Sequence, residues 1–124
     1  MGLDNGIRLG KGRPDYYPCY VKLDDRHKNC DDLCYWRKCW NIREDILDIV
    51  GEEDEQYEYI LTREDVHAIR RALQVYFKYP HWWSRSIWTW KEIRRHLFYD
   101  VVNLWWLERY MKKHEVEVYF YDSY

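Results

Sequence analysis

Apolar residues recur along this chain with two different periods, and each period predicts an element. Beginning at Asp31 or Asp32, either of which can cap a helix, Trp36, Cys39, Trp40, Ile46, Leu47 and Val50 fall at helical spacing. Gly51 follows where a helix end wants a left-handed residue. Val66, Ile69, Leu73 and Tyr76 form the stripe of a second helix, opened by a Thr62/Asp65 pair that resembles a capping box and ended by Pro80. Thr89 and Glu92 match the same capping pattern and start a third helix, expected from about Trp90 to Lys113. Its apolar face is Ile93, Leu97, Val101, Leu104 and Met111, while Arg95, Tyr99, Val102, Trp106 and Tyr110 make a second stripe almost opposite. A helix apolar on two sides must be covered on two sides, so it is either central to the fold or turned toward a partner.

The remaining pattern is extended. Asn5-Gly6 is a tight-turn signal ahead of Ile7-Arg8-Leu9, and Gly10 to Pro14 reads as a loop. Tyr17 to Leu23 predicts a short strand with Pro18 at an edge or irregular start, and Tyr57 to Leu61 predicts another. Val116, Val118 and Phe120 alternate with Glu117, Tyr119 and Tyr121, the period of a strand. The order points to an α+β fold, with three helices packed on one face of a small, largely antiparallel sheet, and residues 1–124 forming a single globular domain.

Composition changes the picture in one respect above all. The 124 residues include eight tryptophans and thirteen tyrosines, in a chain that is 34% charged with a formal net charge of −2. Rings at this density beside arginines imply a ring-packed core, a stacking surface, or both. Near-neutral charge argues against a protein that coats duplex nucleic acid. The charge is uneven, however: Glu52 to Glu55 with Glu58 form an acidic stretch, whereas Arg85, Lys91, Arg94 and Arg95 crowd the start of the third helix. No apolar run approaches membrane-spanning length, and the N-terminus lacks the pattern of a signal peptide, so a cytoplasmic location is expected.

Chemical motifs are sparse. Gly6 to Gly12 lacks the spacing of a phosphate-binding loop and the Ser or Thr after its lysine, and reads as a flexible turn. Cys30 and Cys34 with His27 could surround zinc, but no Cys-x-x-Cys pair exists. Cys34 and Cys39 on one helix would point about 140° apart, so buried thiols are expected and neither a metal nor a cofactor. His67, His96 and His114 have charged neighbours but no catalytic motif, and the serines are Ser84, Ser86 and Ser123, the last near the terminus. An enzyme is therefore the lesser expectation.

The segment from Tyr79 to Trp90 is the foremost candidate for binding. Trp82, Trp83, Trp88 and Trp90 can stack on a base, while Arg85, Arg94 and Arg95 at a helix N-terminus can hold a phosphate. The alternative for these rings is that they plug the gap between two helices. Tyr99, Trp106 and Tyr110 are the candidate partner-binding set on the third helix, which could also join a homodimer.

Three stretches carry a family resemblance: Met1-Gly2-Leu3-Asp4-Asn5-Gly6-Ile7, Cys34-Tyr35-Trp36-Arg37-Lys38-Cys39-Trp40-Asn41, and Val116 to Tyr124 (VEVYFYDSY). Together they resemble small uncharacterised proteins encoded by bacteriophages and prophages. The resemblance brings no activity. It implies an accessory protein in an infected bacterial cytoplasm, acting by occupying a host defence protein or its nucleotide signal. The expectation is thus a non-enzymatic, counter-defence-like binding protein that sequesters a nucleotide-type ligand. Its alternative is a protein–protein inhibitor of a host defence complex, using Tyr99, Trp106 and Tyr110 with the acidic stretch.

Overall fold

The computed structural model describes residues 4–15, 32–37, 39–51, 57–78 and 90–123, apart from the side chains at 37, 40, 90, 92 and 93. Strand β1 (Asp4–Leu9) is followed by β2 (Asp32–Arg37), α1 (Trp40–Val50), β3 (Glu58–Ile60), α2 (Arg63–Lys78), α3 (Trp90–Lys113) and β4 (Val118–Ser123). The four strands form one sheet in the order β2-β1-β4-β3, every pair antiparallel. The α+β expectation of three helices with a small antiparallel sheet is therefore the observed fold.

The core follows from alternation along the two central strands. Ile7 and Leu9 of β1 lie on the same face as their β4 partners Phe120 and Val118, and all four are buried. They join one apolar cluster with Ile42 and Ile46 of α1, Val66, Ile69 and Leu73 of α2, and Leu97, Leu104 and Leu107 of α3. The α2 stripe read from the sequence is thus buried, Tyr76 included. Its N-terminus is closed by a reciprocal box, in which Asp65 N donates to Thr62 Oγ1 at 3.1 Å and Thr62 N donates to Asp65 Oδ2 at 3.0 Å. Gly51 takes the left-handed conformation at φ 71°, and its N–H donates to Leu47 O at 3.0 Å, ending α1 as expected.

Three local expectations are corrected. Asp32, Cys34 and Trp36 do not belong to the first helix. They lie in β2, paired with Arg8, Ile7 and Asn5 of β1, and the helix starts only at Trp40. Asp32 consequently stands in a strand and not at the start of α1; it is buried and accepts a hydrogen bond from Tyr121 Oη at 2.8 Å as well as an ion pair from Arg8. Cys34 and Cys39 therefore do not share a helix; Cys39 stands at the N-cap of α1. Asn5-Gly6 is also no turn. A Cβ on Gly6 would come within 2.3 Å of Cys34 O and 2.9 Å of the Tyr121 ring, so glycine is needed where that ring crosses β1. Finally, the last strand covers Val118–Ser123 and buries Tyr121 and Asp122, two residues further on than its alternation implied. The strand expected over Tyr17 to Leu23 and the cap at Thr89 lie outside the described residues.

Helix α3 has the span expected and does more than cover one face. It packs along α2 and against β2. The β2 strand is an edge of the sheet, and the carbonyls of Leu33 and Tyr35, two residues apart, accept from Asn103 Nδ2 at 3.0 Å and His96 Nε2 at 2.8 Å. Beside them Trp36 Nε1 donates to Asp100 Oδ2 at 2.8 Å. A row of polar side chains on α3 thus satisfies groups of an edge strand that would otherwise offer a template for pairing.

Candidate functional site

On a helix of 3.6 residues per turn, Arg95, Tyr99, Val102, Trp106 and Tyr110 share a face, and Arg109 and Lys113 border it. The rings of Trp106 and Tyr110 stack with centroids 5.3 Å apart, and those of Tyr110 and His114 stack at 4.5 Å. This ladder at i, i+4 and i+8 is anchored by Tyr110 Oη, which donates to Gly12 O at 3.0 Å in the turn after β1. Next to it the Arg109 guanidinium lies over the Trp105 ring, 5.0 Å from its centroid, and 52% of Trp105 remains exposed. Between these groups opens a cavity of about 470 Å³, also reached by Val102 and Lys113.

Charge on α3 is segregated. Its two acidic side chains with described surroundings, Asp100 and Glu108, are both buried. Asp100 turns to Trp36 and His96, while Glu108 accepts from His67 Nδ1 at 2.6 Å and pairs with Arg70 on α2. Lys91, Arg94, Arg95, Arg109, Lys112 and Lys113 are exposed. Lys112 and Lys113 also oppose the partial negative charge at the helix C-terminus. The outer surface of α3 is therefore ringed with cations and aromatic faces.

Among the described residues the cavity lining holds no carboxylate, thiol or aliphatic hydroxyl, and the Tyr110 hydroxyl is engaged with Gly12. The three histidines separate by role: His96 is buried in the fold, His67 is held by Glu108, and His114 ends the ladder. Cys34 is a buried thiol in β2, and burial pushes the Cys39 thiol well above its usual range. Among the described residues no group of three His, Cys, Asp or Glu could hold a metal ion, and His27 and Cys30 lie outside them.

Of the residues singled out for ligand binding, Trp82, Trp83, Arg85 and Trp88 fall outside the described residues, as does the side chain of Trp90. Arg95 shares the face of the candidate partner set, whereas Arg94 turns the other way, 5.5 Å from the Phe77 ring centroid. Trp106 and Tyr110 come together in one stack; Tyr99 instead meets Phe98 edge-on at 5.7 Å. Trp105, Arg109 and Lys113 do not stand out in the sequence, and His114 does so only as a histidine with charged neighbours. Their signal is the four-residue step itself, ring to cation from Trp105 to Arg109 and ring to ring from Trp106 through Tyr110 to His114.

A second cavity, of about 490 Å³, lies between α1 and α2, with Asp45 and Asp48 above Ile49, Ala68, Ala72 and Val75. Tyr76 Oη donates to Asp45 at 2.6 Å there, and burial, then this bond, raises the phenol out of its normal range. It offers the opposite charge and no stacked rings.

No described helix is long and apolar enough to cross a membrane. Comparison with family models, curated proteins and solved structures returned no match.

Proposed function

We propose that this chain is a non-catalytic binding protein that captures a nucleotide-type ligand, with the outer face of α3 as its described binding surface. The observation that carries the reading is the Trp106–Tyr110–His114 ladder beside Arg109 and Lys113 over an open cavity of about 470 Å³. A base needs a flat apolar face and a phosphate needs fixed cations, and both lie within one helical turn here. The volume falls within the range of small-ligand sites, roughly 300–1,000 Å³. The resemblance to phage and prophage proteins supplies the setting we attach to this reading: a counter-defence accessory in the host cytoplasm that removes a nucleotide signal.

Isothermal titration calorimetry and tryptophan fluorescence with cyclic dinucleotides, ADP-ribose derivatives and simple mononucleotides test it. Saturable heat and quenching are expected, and Trp106→Ala should weaken binding about tenfold, since stacking on one ring contributes about 1–3 kcal/mol. A flat response across the panel would exclude nucleotide capture.

A protein partner is the second reading, favoured by Phe98 and Trp105, two large rings of α3 that are half exposed. Recovery of a stoichiometric bacterial protein with the purified chain, lost in Trp105→Ala, would support it over the first.

A further inference from the structure

Resting on the nucleotide reading, we infer that the ligand of the α3 face is single-stranded nucleic acid spanning several nucleotides rather than an isolated mononucleotide. The first ground is length. From Arg95 to Lys113 the strip runs about 27 Å along the axis, much longer than one nucleotide. Tyr99, Trp106 and Tyr110 lie along it, and the four-residue step from Trp106 to Tyr110 advances on the order of 6 Å. That is the scale on which bases follow one another in an extended strand.

The second ground is sign. Arg95, Arg109 and Lys113 border the strip, and both described acidic side chains of α3 are withdrawn from it, Asp100 toward β2 and Glu108 toward α2. A backbone with one negative charge per repeat suits cations at both ends of a strip that, among its described side chains, carries no acid. The third ground is access. The Trp105 ring is more than half exposed, and its guanidinium neighbour already marks a planar cation beside a planar ring. A duplex hides its base faces and would leave these rings unused, whereas an unpaired strand presents a face at every step. The Trp106–Tyr110–His114 rings are stacked on one another, so a base stacks on Trp105 and not between the rungs of the ladder, which walls the strip.

Fluorescence anisotropy with 5′-labelled oligothymidylates and oligoadenylates of two, four and eight nucleotides, at several salt concentrations, tests the inference. The octamer should bind at least tenfold more tightly than a mononucleotide measured by calorimetry. Trp105→Ala should weaken octamer binding about fivefold or more. Arg109→Gln and Lys113→Gln should each flatten the dependence of log K on log salt by about 0.7. Asp48→Asn, in the α1–α2 cavity, should leave binding unchanged. Equal affinity for mononucleotide and octamer would overturn the inference and leave nucleotide capture standing; no binding of either would remove both. Octamer binding that is indifferent to Trp105→Ala and both charge removals, or matched by duplex or by polyglutamate, would also overturn it.

Discussion

Asp100 is a residue at which the fold works against an ionised group. It is 2% exposed, and burial raises its carboxyl above the ordinary range, an effect that His96 and the hydrogen bonds from Trp36 and Cys34 only partly offset. A carboxyl that holds its proton more tightly when folded stabilises the fold at low pH. That contribution is lost as pH rises from about 3.9, the unfolded value, through the folded one. Asp100→Asn cannot ionise, yet it keeps an oxygen for Trp36 Nε1. Urea midpoints measured from pH 3.5 to 7.5 should therefore show Asp100→Asn gaining on the parent as pH increases. The comparison is differential, so that every other group titrates alike in parent and variant. A gap between variant and parent that stays constant with pH would mean that Asp100 ionises in the fold as readily as in the unfolded chain.

At the level of elements, what the chain announced and what it concealed divide along one physical line. Helices α2 and α3 have a dry side and a wet side, so their periodicity is open to view, and caps or breakers mark their ends. The β2 strand is buried on both faces, Leu33 through Trp36 all being inaccessible, and a strand of that kind shows no alternation. With Cys39 and Trp40 three and four residues beyond Trp36, the run imitates a helix stripe. Asn5-Gly6 misleads for a different reason: its glycine answers a demand made from the far end of the chain, where Tyr121 lies across β1 and hydrogen-bonds Asp32. No local rule contains that contact. Gly6→Ala tests the demand. Its methyl would meet the backbone carbonyl of Cys34, which cannot move without disturbing the β1–β2 ladder, so a loss upwards of about 3 kcal/mol is expected by chemical denaturation. Gly51→Ala is the contrasting control, since nothing lies within 4 Å of its Cβ and only the left-handed backbone resists. If Gly6→Ala proved the milder of the two, the Tyr121 ring would not sit where the packing of β1 and β4 requires it.

For the whole molecule, α3 unites functions that the sequence displays separately. One side of it supplies Leu97, Leu104 and Leu107 to the core. A second supplies His96, Asp100 and Asn103 to the edge of the sheet, and a third carries the rings and cations of the candidate site. The sequence shows the two apolar stripes, but the buried polar row between them hides among the charged residues, because only the β2 carbonyls reveal that it faces inward. The site was legible in the same partial way: Tyr99, Trp106, Tyr110 and Arg95 stand out by spacing, whereas Trp105 and Arg109 gain meaning only when their ring and guanidinium are seen face to face. A helix shared in this way cannot detach while the sheet survives, since its loss would strip the core and free two edge carbonyls together. Leu104→Ala should therefore cost about 2–5 kcal/mol through the cavity it leaves. It should also shift unfolding as a single transition, with far-UV circular dichroism and tryptophan fluorescence remaining superimposable. Separate transitions in the variant, with ring fluorescence lost before strand signal, would show that the helical layer and the sheet are held independently. The α3 face would then be a docked element rather than a wall of the fold.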